Sequence, residues 1–237
     1  GRLQVFVQET KAIFSTSKTA CCMVLAAIII SFNWGIFIWA VEAGRIVETS
    51  MGYYINPLMN VLFGVVFLRE RLDKLQIAAV ACAALGIGVI IVQNGGLPWV
   101  AMSLSVTFAL YSLLKKIIIA QPLTSIMIET LLISPLAAGY LYYLSTQGGN
   151  VYQACDTQTM LLLAGAGVVT ATPLLLFTAC ARKLPLKLVG FLQYISPSIT
   201  LMLGVFVYGE PFTSTIATAF GCIWFGLLLF IWSQIRC

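Results

Sequence analysis

The sequence predicts an all-α, polytopic membrane protein. Three observations carry that prediction. Sixty per cent of the residues are hydrophobic and only 9% are charged. Eight apolar runs are long enough to cross a bilayer. The basic residues collect in alternate loops. A soluble domain carries about a quarter of its residues as charges. Here 13 basic and 8 acidic residues, 21 in all, are spread over 237 positions, too few to cover a water-facing surface. Lipid is therefore the solvent, and helices must satisfy their own backbone groups.

A spanning helix needs about 20 mostly apolar residues. In chain order the runs lie at 19–41, 47–68, 75–92, 97–114, 123–144, 159–181, 186–208 and 212–232. Turn signals separate them, among them Asn94-Gly95-Gly96, Gln121-Pro122 and Gln147-Gly148-Gly149. Charge sets the orientation, because lysine and arginine stay on the cytoplasmic side. One set of alternate loops holds Arg2, Lys11, Lys18, Arg69, Arg71, Lys74, Lys115, Lys116, Arg182, Lys183, Lys187 and Arg236, and the other holds Arg45 alone. Both ends of the chain are expected in the cytoplasm.

The second half repeats the first at a spacing of 140 residues. Phe37 matches Phe177, Pro57 matches Pro197, Gly64 matches Gly204, Val65 matches Val205, Glu70 matches Glu210 and Gly86 matches Gly226. The register maps the first three spans onto the sixth, seventh and eighth. That step is five helices, an odd number, so the copies have opposite orientation in the membrane. Inverted repeats are a common construction of secondary transporters, with the substrate site near the bilayer midplane. The fourth and fifth spans have no counterparts upstream of the first. Residues 1–93 then read as a three-helix remnant of one repeat and 94–237 as a complete five-helix repeat, eight helices of an expected ten. The chain begins with Gly1, in keeping with an expected missing N-terminus.

Polar residues recur at matched positions. The second span carries Tyr53, Asn56, Asn60 and Gly64, and the seventh carries Gln193, Ser196, Thr200 and Gly204. Spacings of three and four place each set on one helical face. Pro57 and Pro197 lie beside these stripes, and a mid-helix proline frees a backbone carbonyl. Facing stripes would line a substrate cavity; small and polar residues also serve as glue between helices. Asn33 and Trp34 lie in the middle of the first span. Trp34 and Trp39 could stack on an aromatic ligand or simply pack, and Tyr53 and Tyr54 also suit an interfacial aromatic belt. Glu129 lies about two turns inside the fifth span, with no basic residue near it in that helix. Lys115 and Lys116 belong at the cytoplasmic surface on this reading. An intramembrane carboxylate is a functional candidate, and burial should raise its pKa. Three roles stay open for it: proton coupling, a hydrogen bond that holds the bundle, and binding of a cationic substrate group.

Several chemistries are disfavoured. The chain has no histidine, which removes serine–histidine catalysis. Asp73 and Asp156 both fall in loops, which removes an intramembrane aspartate pair. The seven cysteines show no CxxC, and Cys155 sits in a long outer loop; no metal and no cofactor is expected. No Walker motif appears, so ATP is not the direct energy source. The expected partners are the lipid bilayer and a small-molecule substrate, with a homodimer as an option and no nucleic acid.

Certain segments carry a family likeness. The runs Asn33-Trp34, Phe37-Ile38-Trp39-Ala40-Val41, Gly52-Tyr53, Ile55-Asn56-Pro57-Leu58 and Phe67-Leu68-Arg69-Glu70-Arg71 resemble the RarD proteins. So do Ile128-Glu129-Thr130, Gln193-Tyr194-Ile195 and Tyr208-Gly209-Glu210. These proteins form part of the EamA branch of the bacterial drug/metabolite transporter superfamily. The resemblance implies a ten-helix inner-membrane permease of two inverted five-helix repeats, and it implies no particular substrate. The leading expectation is a secondary transporter of small organic molecules. An intramembrane enzyme, a channel and a structural or receptor-like membrane subunit are the other classes.

Overall fold

The computed structural model describes residues 2–93, 95–96, 99–146, 156–207 and 213–236. Among them the chain forms ten helices: α1 (Arg2–Ser15), α2 (Ser17–Glu42), α3 (Ile46–Leu68), α4 (Lys74–Gln93), α5 (Trp99–Ile117), α6 (Pro122–Thr146), α7 (Thr157–Lys183), α8 (Leu186–Gln193), α9 (Ile195–Phe206) and α10 (Ser214–Arg236). Among the described residues eight segments are long and apolar enough to cross a membrane, with α8 and most of α9 together forming one of them. The protein is an all-α, multi-pass membrane protein. Asn94, Gln147-Gly148-Gly149, Cys155 and Tyr208-Gly209-Glu210 lie outside the described residues.

Helix α1 lies ahead of the first apolar run. It is 14 residues long and carries Arg2, Glu9 and Lys11, so it is too short and too charged to cross lipid. Ile13 is buried, and the Glu9 carboxylate accepts from the backbone N–H of Gln121 at the head of α6.

The chain divides into two compact units, Gly1–Ser31 with Leu114–Lys183, and Phe32–Leu113 with Leu184–Cys237. In the first unit α1 packs on α6 and α6 on α7. Their outer faces leave Leu131, Leu136, Leu161, Leu162 and Leu176 exposed, which suits hydrocarbon. Hydroxyls on these helices bond back to the carbonyl four residues earlier, as Thr130 does to Ile126, Ser134 to Thr130 and Thr172 to Val168. That bond lets a polar residue sit in lipid.

The second unit is built from two packed pairs, α3 with α8 and α4 with α10. Glycine makes both possible. A Cβ on Gly86 would stand 2.5 Å from the Ala219 carbonyl oxygen, and one on Gly226 would stand 2.7 Å from that of Ala79. Residues advancing along α4 thus meet residues receding along α10, so the pair is antiparallel. In α3 and α8, Gly64 meets Leu186, and Gly190 meets the Pro57 carbonyl, again antiparallel. The helix starts keep the 140-residue register: α2 and α7 begin at 17 and 157, α3 and α8 at 46 and 186, α4 and α10 at 74 and 214.

The seventh span is not one helix, as the sequence suggested. It breaks at Tyr194, whose N–H bonds only three residues back, to Phe191. Pro197 favours a break: it lacks an N–H and its ring crowds the carbonyl of Gln193, four residues earlier. Pro57, its counterpart, lies inside an unbroken α3.

Loop side chains close the helix ends. Asp73 and Gln76 cap each other at the start of α4: the Gln76 N–H donates to Asp73 Oδ1 at 2.9 Å and the Asp73 N–H to Gln76 Oε1 at 3.3 Å. Glu70 accepts from the Leu186 and Lys187 N–H groups at 2.7 and 2.9 Å, capping the N-terminus of α8, where a carboxylate also suits the helix dipole. Arg69 takes a left-handed conformation, φ 55°, to end α3.

Candidate functional site

The inner face of α3 holds the polar residues that the sequence singled out. Asn56 is 8% exposed and Asn60 is fully buried. Pro57 is buried between them, and Gly190 of α8 rests on its carbonyl. Asn60 Nδ2 donates to Gln193 Oε1 at 2.5 Å, joining α3 to the last residue of α8. An amide pair bonded this way uses one end of each amide. The Oδ1 atoms of Asn60 and Asn56 are buried and have no hydrogen-bond partner among the described residues. The Tyr194 hydroxyl, next in the chain to Gln193, is likewise buried and unpartnered.

The two stripes are not equivalent. The structure brings Asn60 to Gln193, and Asn56 lies one turn away on α3. Ser196 and Thr200 are exposed on α9, and their hydroxyls are not brought to the asparagines; the Thr200 hydroxyl bonds back to the Ser196 carbonyl. Pro197 is buried. Tyr53 is largely exposed and touches Phe37 edge-on. The break at Tyr194 falls between Gln193 and Ser196, so the two sit on different helices.

Asn33 is buried and bridges helices. Its Nδ2 donates to the Leu104 carbonyl at 2.9 Å and to the Thr107 hydroxyl at 2.7 Å, tying α2 to α5. Trp34 is partly exposed against Phe37. Trp39 packs with Trp99, and the Arg45 guanidinium lies over both rings while pairing with Glu48.

In the first unit the reading of Glu129 as a lone carboxylate is overturned. Glu129 is 4% exposed and forms an ion pair with Lys115, itself 1% exposed. Lys115 Nζ also donates to the Ser125 hydroxyl at 2.7 Å. The lysine that read as a surface cation is thus buried beside the acid. Hairpin geometry held the missed signal, since Lys115 and Glu129 each lie seven residues from Pro122 and so fall opposite one another across the α5–α6 turn. Among the described residues no group of histidine, cysteine, aspartate or glutamate could hold a metal ion.

Membrane-crossing helices in antiparallel, self-similar pairs, with buried amides inside one pair, define the class of multi-pass proteins from which solute transporters are built. Residues 3–92 match the model of the EamA-like transporter family. The chain is 49% identical over 214 residues to the transporter YojE of Bacillus subtilis, covering 90% of this chain and 70% of the relative. It is 37% identical over 225 residues to protein RarD of Escherichia coli, covering 95% and 76%. It is 33% identical over 224 residues to the chloramphenicol-sensitive protein RarD of Pseudomonas aeruginosa, covering 94% and 74%. The chain belongs to the EamA-like transporter family, in its RarD-type branch. No solved structure matches it.

Proposed function

We propose that the protein is a secondary transporter that moves small organic solutes across the bacterial inner membrane by alternating access. The antiparallel packing of α4 on α10 carries this reading. Gly86 sits on Ala219 and Gly226 sits on Ala79, both pairs related by the 140-residue register. An interface that uses the same residues twice relates two inverted copies of one unit, and rocking of one such copy against the other is what alternating access uses. Solute recognition falls to Asn56, Asn60 and Gln193. The energy source is an ion gradient or solute exchange. Proton coupling through Glu129 would have to proceed by remaking its pair with Lys115.

The test is uptake or efflux by purified protein in sealed vesicles, using a panel of radiolabelled metabolites. Saturable movement accelerated by solute on the far side supports the proposal. Protein that inserts and folds but moves nothing across the panel favours a structural or receptor-like subunit. For coupling, Glu129→Gln is the diagnostic variant. Accumulation against a gradient with unchanged pH dependence excludes Glu129, and passive exchange without accumulation supports it.

A further inference from the structure

We infer that the Asn56, Asn60 and Gln193 cluster recognises an uncharged solute bearing amide or hydroxyl groups. This deepens the transporter reading, on which it rests, by naming the substrate class of that site. Burying an amide without a partner is costly. Yet Asn60 is fully buried, Asn56 is more than nine-tenths buried, and the Oδ1 atom of each is unpartnered among the described residues. The two lie four residues apart, hence on one face of α3 about one turn from each other. Two prolines remove helical donors beside this cluster. Pro57 cannot donate to the carbonyl of Tyr53, nor Pro197 to that of Gln193. The break at Tyr194 leaves the Gln193 end of α8 beside Asn60.

The chemistry of these groups selects the ligand. Asparagine and glutamine amides both donate and accept, so their best complement is another amide or a hydroxyl. Charged side chains on α3, α8 and the segments flanking them lie toward the ends: Arg45, Glu48, Arg69, Glu70, Arg71, Asp73 and Lys187. In the other unit the buried charges, Lys115 and Glu129, neutralise each other. An ion stripped of water and offered only dipoles at low dielectric is strongly disfavoured, whereas a neutral polar solute keeps its hydrogen bonds.

Binding to the detergent-purified protein tests this without requiring transport. The probes are size-matched uncharged amides and polyols, quaternary ammonium ions and carboxylates, read by calorimetry. Binders are expected among the uncharged compounds. Asn56→Leu, which leaves the Asn60–Gln193 bond in place, should weaken them about tenfold, and Asn60→Leu should weaken them at least as much. Binders confined to the ionic compounds, uncharged binders indifferent to Asn56→Leu, or no binder in any class would overturn the inference. A compound that binds through Asn56 but does not cross vesicles would instead sink the transport reading and leave the site standing.

Discussion

Gly86 and Gly226, 140 residues apart in the chain, face each other's helices in the same way. Each presses on the carbonyl of an alanine, Ala219 and Ala79 respectively, and those alanines are themselves 140 residues apart. Each also lies beside a matched cysteine, Cys222 and Cys82. In lipid no hydrophobic force drives helices together, so close backbone approach through small residues supplies the contact.

Gly86→Ala should therefore destabilise the protein by about 1–3 kcal/mol, since the new methyl would strike backbone that cannot yield. Gly88, two residues on, has open space around it, and Gly88→Ala should be neutral or stabilising by up to about 1 kcal/mol through helix propensity. Thermal denaturation of both variants in detergent, followed by size-exclusion recovery, distinguishes them. Equal behaviour would mean that the α4–α10 contact contributes little.

Asp73 gives the fold an acid-sensitive point in a loop. The Ser233 hydroxyl donates to it at 2.5 Å and the Gln76 N–H at 2.9 Å, and these bonds, the first above all, hold its carboxyl below the usual carboxylate range. The sign follows from linkage. A depressed folded pKa contributes stability above the unfolded value of about 3.9 and loses it as pH falls through the folded value. Melting temperatures of wild type and Asp73→Asn, measured between pH 7 and pH 3, should differ most at neutral pH and converge on acidification. A constant difference would assign the effect to shape instead of charge.

The Lys115–Glu129 pair predicts a non-additive cycle. Glu129→Leu alone, or Lys115→Met alone, removes one charge of a buried pair, at a cost of about 3–5 kcal/mol. The double variant removes both charges and should recover much of that loss. Folded yield and melting temperature of the three variants measure the coupling, and additive losses would contradict the pairing.

Orientation is tested by labelling. A cysteine at Gly44, in the turn between α2 and α3, should react with an impermeant thiol reagent added outside intact cells, and one at Arg71 should not. The reverse pattern would invert the assignment drawn from the positive-inside bias.

Much of the fold was legible because lipid imposes simple rules. Span length and charge located the eight segments, and Pro57 with Pro197, Glu70 with Glu210 and Gly86 with Gly226 fixed a register that the helix starts then follow. Helix α1 was not visible, because a charged 14-residue segment carries no lipid signal. The break at Tyr194 was not decidable from sequence either, since Pro57 leaves α3 continuous while Pro197 lies just past the break in its counterpart. For the site, the stripes marked Asn60 and Gln193 as polar positions but matched each to another residue, and the exposure of Ser196 and Thr200 carried no signal in the spacing. Lys115 looked like an ordinary flanking cation, and only its symmetric distance from Pro122 hinted at Glu129.

On the proposed function, the transported solute meets α3 and α8. Counterflow in vesicles containing the purified protein tests it most directly, comparing wild type with Asn56→Leu at equal amounts of inserted, folded protein. The account predicts saturable counterflow of an uncharged metabolite by wild type and a loss of about tenfold in apparent affinity for the variant. Counterflow that is unchanged by Asn56→Leu, or absent from wild type across the metabolite panel, would contradict it.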